Sequence, residues 1–470
     1  MLSIRRLYKI GNGPSSSHTM GPSNATKYII SHYGDATYFE VTLFGSLALT
    51  GKGHLTDVII SKIFGDRKHK IIFDYSTIKE HPNTMVYKIY RNDILIDEVT
   101  IVSIGGGLIS IEGVKEEDEI EVYPHKNFNE IKSYCLENNI SLIDYIDRFE
   151  SDGIRDYIEE IYKVMMDSID RGLNKEGVLP GKLRVSRKAK EIYSRVIPEE
   201  RSSRREKRLI SAFAFASAEE NASGGEVVTA PTCGSCGIIP SLVKYYEEQG
   251  YSHKEIIDAM MVAGLIGLIV SRNASISGAE CGCQAEIGTA SSMGAAFVSY
   301  LKGKNINAIE RAAEIAMEHC LGLTCDPVDG YVQIPCIERN AIGALRAIEA
   351  STLTEFIGDT ISKISFDVVV DTMYETGKDL NKVYRETSIG GLAKKFIGDK
   401  RWIFGEMLEK KELVKKNLLL VLKFLKAVRW NMSLIRRQED WFLIEYYILL
   451  LIIHIIMDLF HWHMRKIKIL

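Results

Sequence analysis

Three of the eight cysteines in the 470-residue chain have the surroundings of metal ligands. Cys283, Cys325 and Cys336 lie in GAECGCQAEIG, GLTCDPVDG and VQIPCIERN, with glycine or proline close by, where backbone can approach a bulky centre. In a reducing compartment, clustered cysteines are more often metal ligands or core thiols than disulfides. Three thiolates would leave one position of a metal centre open, which Lewis-acid catalysis requires.

The spacing by itself leaves a second metal site open. Cys233 and Cys236 form a CxxC pair that could join Cys281 and Cys283 as a four-thiolate zinc site. A redox-active CxxC is typical of a βαβ unit, which this half of the sequence does not predict. Cys135 stands apart from the others and is interpreted as a core thiol.

A segment near the N-terminus, GNGPSSSHTMGPSNA, is rich in hydroxyl groups. Ser15, Ser16, Ser17 and Thr19 surround His18 between two Gly-Pro pairs, and such a loop suits the binding of a carboxylate. The alternative is an ordinary helix start, in which a serine or threonine caps the first turn.

A second histidine lies in FGSLALTGKGHLTD. His54 follows a strand-like run and two glycines, which predicts a position at a strand end, where functional residues collect. Imidazole has an unperturbed pKa near neutrality, as a general base needs. The alternative is a histidine in a surface loop.

The elements around these histidines predict an α+β domain over residues 1–150. Strand-like runs extend from about residue 38 to 107: YFEVTLFGSLAL, KIIFDY and TMVYKIYRNDILIDEVTIVSI. Asn92 and Asp93 interrupt the last run and predict a hairpin turn.

The next part of the chain, residues 151–396, is predicted to be an all-α domain. Helical periodicity begins near Phe128 and resumes after Gly153, which gives a boundary near residue 150. Later segments such as MMVAGLIGLIV and SSMGAAFVSYL are apolar on most faces, so these helices must be buried.

Residues 397–470 differ in composition from the rest. From residue 400 onward there are 14 Lys and Arg against 7 Asp and Glu. The stretch WFLIEYYILLLIIHIIMDLFHWH is long enough to span a membrane, but Glu445, His454 and Asp458 would be costly in hydrocarbon. We therefore expect no membrane span. An amphipathic or aggregation-prone extension and an out-of-frame tail remain alternatives, and we assign the tail no role.

Charge and the N-terminal residues exclude other classes. The formal net charge of −3 gives no basis for a nucleic-acid partner. MLSIRRLYKIGNG lacks the apolar run of a secretory signal, so we expect a cytoplasmic protein.

Several long motifs, in one order from about Tyr8 to Ala393, resemble those of the iron–sulfur L-serine dehydratases in their single-chain form. They are GPSSSHTMGP, GSLALTGKGHLTD, SIGGG, EGVLPGKLRV, ASGGEVVTAPTCGSCGIIP, NASISGAECGCQAEIG, EHCLGLTCDPVDGYVQIPCIERNAI and MYETGKDLNKVYRETSIGGLA. The resemblance implies an N-terminal domain similar to the allosteric substrate-binding domains of some phosphoglycerate dehydrogenases, followed by a helical catalytic domain. It implies a lyase of amino-acid catabolism and gluconeogenesis, and we expect a homodimer.

The same resemblance assigns roles to residues. Cys283, Cys325 and Cys336 would bind a [4Fe–4S] cluster, and His54 would take the α-proton of L-serine. His18 and the loop of Ser15, Ser16, Ser17 and Thr19 would help to hold the substrate, and the stretch with Asn273, Ser275 and Ser277 would add polar contacts. Relatives commonly end soon after GGLA, some with a cysteine that can cap the cluster, and this chain differs in both respects.

Other activities remain as alternatives. A pyridoxal-phosphate enzyme would need a Schiff-base lysine and a phosphate-binding loop, and the sequence shows no such pairing. Desulfuration of L-cysteine by the same type of cluster is the nearest rival. A non-catalytic iron–sulfur redox sensor is the alternative from another class, although a sensor would need no base.

Overall fold

The computed structural model describes residues 1–114, 121–358 and 362–397. Residues 1–397 form one compact unit, so the predicted boundaries near residues 150 and 396 stay predictions. No helix in these three ranges is both long and apolar enough to cross a bilayer. The apolar stretch at 441–463 lies outside the described residues.

The first part of the chain is built on a five-stranded mixed sheet. Its strands are β2 (Tyr38–Phe44), β3 (His69–Asp74), β4 (Thr84–Arg91), β5 (Ile94–Gly105) and β6 (Leu108–Ile111), in the order β3-β2-β4-β5-β6. The β2–β3 pair is parallel and the other pairs are antiparallel. Asn92 and Asp93 adopt φ values of 48° and 65°, which confirms the predicted hairpin turn between β4 and β5.

Three helices accompany this sheet: α1 (Gly21–His32), α2 (Gly45–Thr50) and α3 (Thr56–Phe64). Apolar side chains of α1 and α3, including Ile29 and Ile60, share a core with Val41 and Tyr87 of the sheet. The predicted α+β character of this part is therefore confirmed.

The run YFEVTLFGSLAL does not continue as a strand, so the expected place of His54 at a strand end is wrong. The strand β2 ends at Phe44, where Gly45 adopts a φ of 53° and the Ser46 amide donates to the Pro82 carbonyl. The helix α2 follows at once, and His54 lies in the turn between α2 and α3.

The second part is helical, as predicted. Its helices are α4 (Phe128–Asn138), α5 (Leu142–Phe149), α6 (Ile154–Leu173), α7 (Ala189–Ser194), α8 (Ser202–Ala222), α9 (Ile238–Glu248), α10 (His253–Asn273), α11 (Gly278–Cys281), α12 (Thr289–Leu301), α13 (Ile306–Glu318), α14 (Cys336–Ile357), α15 (Phe366–Asp379) and α16 (Gly391–Ile397). Residues 256–270 of α10 are all buried, as expected for a helix that is apolar on most faces.

The N-terminal segment packs into this helical core. Ile4 and Leu7 contact α10 where Gly264 and Gly267 leave room, since a Cβ at either glycine would lie 2.5 to 2.6 Å from those side chains. The short strand β1 (Ile10–Asn12) pairs antiparallel with β7 (Glu226–Val228). The pairing of β1 with β7 places the serine-rich loop that follows β1 next to the helical part of the molecule.

Candidate active site

The serine-rich loop is held by the C-terminal end of α8 and the turn after it. The Gly13 amide donates to the Gly225 carbonyl at 3.0 Å, and Nδ2 of Asn221 donates to the Pro14 carbonyl at 2.8 Å. Ser15 then caps a single wide turn, Ser16–Met20, by accepting a bond from the His18 amide at 3.1 Å. The helix start capped by a serine, which the sequence left as the alternative, is therefore present, and His18 lies within its turn.

The hydrogen bonds of His18 define its tautomer. The Ser46 hydroxyl donates to the Glu386 carbonyl at 2.9 Å, so its oxygen must accept from Nε2 of His18, also at 2.9 Å. The other ring nitrogen, Nδ1, then accepts from the Ser17 hydroxyl at 2.8 Å. In its neutral form, which burial favours by lowering the pKa of this imidazole, His18 carries its proton on Nε2.

The same reasoning gives the opposite tautomer for His54. The Thr50 hydroxyl donates to the Ser46 carbonyl at 2.9 Å and therefore accepts from Nδ1 of His54 at 3.0 Å. Nε2 of His54 carries the lone pair, is buried and has no hydrogen-bond partner among the described residues. An unprotonated imidazole nitrogen in this state is ready to accept a proton.

The two histidines lie together, with ring centroids 4.5 Å apart. The hydroxyl of Thr19 donates to the His54 carbonyl at 2.8 Å, and that of Thr56 donates to the His18 carbonyl at 2.6 Å. Burial lowers the pKa of His54 to about 4. Burial also lowers the pKa of His18, and the nearby His54 lowers it further. Both imidazoles therefore stay neutral at physiological pH.

Glu386 is a member of the site that the sequence interpretation did not single out, although it lies inside the motif YRETSIGGLA. Its Oε1 lies 3.7 Å from Nδ1 of His18 and 3.7 Å from Nε2 of His54. Burial, with a smaller contribution from Cys283, raises the pKa of Glu386 to about 8. Because of this raised pKa, the carboxyl group of Glu386 needs a nearby cation to be ionised. The two neutral histidines do not supply one.

The three predicted metal ligands line one cavity with His54, Ser15 and Glu386. The Sγ atoms of Cys283 and Cys325 and an oxygen of Glu286 lie within 4.8 Å of one another, and Cys336 begins α14 at the same cavity. The thiol of Cys325 donates a hydrogen bond to Cys283, which together with the Arg339 charge lowers the pKa of Cys283 to about 6. Arg339 and Glu286 are further site residues that the sequence interpretation missed.

Close backbone contacts bring these segments together. Cys283 follows Gly282, whose φ of 75° suits glycine and whose Cβ would lie 2.7 Å from the Leu323 carbonyl oxygen. Gly53, next to His54, approaches Gly330 so closely that a Cβ would lie 2.5 Å from its carbonyl group. The GKGH segment thus packs directly on the loop that follows Cys325.

The CxxC cysteines lie elsewhere. Cys233 and Cys236 share a small buried cluster with Met20 and Val227, and the Cys233 thiol is 3.4 Å from the Met20 sulfur. The side chain of Cys281 packs against Gly377, where a Cβ would lie 2.6 Å from the Cys281 sulfur. In the described part of the chain, these three thiols therefore do not join Cys283 as one four-thiolate group.

The stretch that begins at Asn273 does not reach the cavity. Asn273 donates from Nδ2 to the carbonyls of Lys126 and Ile269. The Ser275 hydroxyl donates to Glu280 at 2.7 Å and accepts from the Ser277 amide at 3.1 Å. These groups are occupied in local structure, and none of the three lines the cavity.

A buried cavity that combines an unpartnered imidazole nitrogen, a carboxylate and three thiols defines an enzyme active site. A family model described as serine dehydratase alpha chain matches residues 79–393, and one described as serine dehydratase beta chain matches residues 3–65. An L-serine dehydratase of Haemophilus influenzae is 40% identical in an alignment that covers 84% of this chain and all of that protein. L-serine dehydratase 1 of Escherichia coli is 40% identical in an alignment that covers 84% of this chain and 99% of that protein. The chain belongs to the serine dehydratase family.

Proposed function

We propose that the protein is an L-serine dehydratase, a lyase that converts L-serine to pyruvate and ammonia. The observation that carries the proposal is the unpartnered Nε2 of His54, which faces the cavity lined by Cys283, Cys325 and Cys336. The names of the curated relatives support the substrate. A cytoplasmic location would keep the thiols reduced, and a homodimer stays a prediction.

We propose a [4Fe–4S] cluster as the cofactor because the donor set fits it. Three thiols are soft ligands suited to iron–sulfur chemistry, and they meet in a cavity next to a basic nitrogen. Bound there, such a cluster would supply a Lewis-acid iron with one position open to the substrate's carboxylate and β-hydroxyl. Cys233 and Cys236 are left as core thiols.

The residues of the chain supply the base. His54 accepts the proton from Cα at Nε2, while the Thr50 hydroxyl fixes the tautomer by accepting from Nδ1. Breaking the Cα–H and Cβ–O bonds releases water and gives 2-aminoacrylate. This product tautomerises to an imine, which takes up water to give pyruvate and ammonia.

The loop residues position this base and exclude water from it. Ser17 and Ser46 hold His18 in the opposite tautomer, and Thr19 holds the His54 backbone. Ser15 lines the cavity and is the loop hydroxyl we assign to substrate contact, whereas Ser16 is buried in the turn. Asn273, Ser275 and Ser277 are left without a role at the substrate.

The proposal is tested with protein purified anaerobically and assayed for pyruvate from L-serine. His54→Asn is expected to lower kcat by about 10²- to 10⁴-fold, the usual contribution of a general base, while the visible absorption of the cluster stays. His32→Asn, on the exposed end of α1, is the matched control and should keep full turnover. Turnover of His54→Asn near the wild-type rate would remove His54 from the mechanism.

A further inference from the structure

The carboxylate of Glu386 is buried without a partner. The residue is 6% exposed and lines the cavity. Its Oε1 lies 3.7 Å from a nitrogen of each neutral histidine, His18 and His54, which is beyond hydrogen-bond distance. Other titratable groups that interact with it are Cys283 and Glu286, and neither is a cation. A buried carboxyl group in this position is readily ionised only when a cation reaches it through the cavity.

We propose that Glu386 binds the α-ammonium group of the substrate and so restricts the enzyme to amino acids. This inference rests on the proposed function. L-serine carries one cationic group, and an ammonium-to-carboxylate hydrogen bond is of the strong, charge-assisted kind.

The position of Glu386 also suits the reaction. Its Oε1 is 3.7 Å from Nε2 of His54, the atom that receives the proton. Since Cα is bonded directly to the ammonium nitrogen, an ammonium held by Glu386 places the Cα–H bond beside that base. Binding the ammonium and orienting the proton are then one event.

The backbone around Glu386 fixes the carboxylate from both sides. The Glu386 amide donates to the Cys325 carbonyl at 2.7 Å, and its own carbonyl accepts from the Ser46 hydroxyl at 2.9 Å. The carboxylate therefore stands between the thiol loop and the histidines without using its own oxygens for support.

The second carboxylate of the cavity is less suited to this role. Oε2 of Glu286 lies 3.9 Å from the Cys283 sulfur and would be 2.7 Å from a Cβ at Gly278. Glu286 is thus packed against the thiol side of the cavity. The matched control is instead Glu314, a buried glutamate that does not line this cavity.

A comparison of two ligands tests the proposal. L-glycerate has the carboxylate and the β-hydroxyl of L-serine but carries a hydroxyl in place of the ammonium. In anaerobically prepared holoenzyme, Glu386→Gln should raise KM for L-serine by roughly 10- to 100-fold, the range for one hydrogen bond to a charged group. The inhibition constant of L-glycerate should change by less than about threefold, the size of effect usual for a substitution that removes no specific interaction.

Two further variants complete the test. Glu386→Asp keeps the charge and should keep most of the preference for L-serine over L-glycerate, and Glu314→Gln should leave that preference unchanged. If Glu386→Gln weakens both ligands equally, or lowers kcat with KM unchanged, the ammonium assignment is wrong and Glu386 acts through the histidines or the thiol loop. Failure of the proposed function would look different, because the wild-type protein would then form no pyruvate from L-serine.

Discussion

The amide of Glu386 donates to the carbonyl of Cys325 over 2.7 Å, and the Cys325 amide in turn donates to Tyr384 at the same distance. This short parallel bridge joins the thiol loop to the segment that carries the carboxylate. The Ser46 hydroxyl then links Glu386 to His18. Glu386 therefore connects the segment that carries Cys325 to His18 through hydrogen bonds.

Replacement of Cys283, Cys325 or Cys336 by serine is expected to abolish the visible absorption of the cluster, because a hydroxyl is a poor ligand for a soft metal site. Turnover should be lost with it. Cys236→Ser is the control, since its thiol lies at Ser217 and outside the cavity. Loss of absorption in Cys236→Ser but not in Cys336→Ser would instead favour a site that includes the CxxC pair.

Substitution of Thr50 by valine removes the acceptor that fixes Nδ1 of His54. The imidazole can then take either tautomer, so kcat should fall by about tenfold, while the unmet donor costs about 1 to 3 kcal/mol of stability. Thr50→Ser restores the hydroxyl and should restore most of kcat. The measurements are steady-state kinetics and thermal unfolding of both variants. Equal kcat values in the valine and serine variants would show that the tautomer is fixed in another way.

The acid limb of the pH profile should lie well below the usual histidine value. Burial lowers the pKa of His54 to about 4, so the base is neutral above that pH and protonated below it. The value of kcat is therefore retained as pH falls through 6.5 and is lost only near pH 4 to 5. The profile of kcat at saturating L-serine is the quantity to measure, because kcat/KM also reports Glu386 of the free enzyme, whose pKa burial raises to about 8. An acid limb at pH 6.5 would contradict a buried, neutral base.

Truncation after Phe396 should give a protein that is at least as active as the full chain. Every residue placed in the site precedes that position, and the match to the alpha-chain family model ends at residue 393. Activity and sedimentation of the two proteins, measured side by side, decide the question. Loss of serine turnover would show that the tail contributes to the site or supports it, and membrane partitioning of the full chain alone would show an anchor.

Local sequence signals predicted much of the fold. The paired left-handed residues Asn92 and Asp93 predicted the hairpin, and periodicity predicted the helices from Phe128 onward. The prediction failed beyond Phe44, where an apolar run with the composition of a strand becomes a helix. The turn at Gly45 depends on a contact with Pro82, which is distant in sequence.

The site was predictable only in part, for a related reason. Cysteine and histidine have a recognisable chemistry, so the sequence could single out Cys283 and His54, which line one cavity. Glu386 is one of many glutamates, and its importance comes from burial beside residues more than 300 positions away. The contact of Ser275 and Ser277 with substrate stays a prediction, and the Ser275 hydroxyl is engaged by Glu280 and by the Ser277 amide.

The bond from Ser46 to Glu386 spans 340 positions of the chain. Because synthesis runs from the N-terminus, this bond cannot form until residue 386 has been made, long after Ser46. A nascent chain would carry its histidines long before the partners of those histidines are synthesised. Assembly of the cavity, and with it any loading of a cofactor, should therefore follow completion of the helical part, after the segment with Glu386 has left the ribosome.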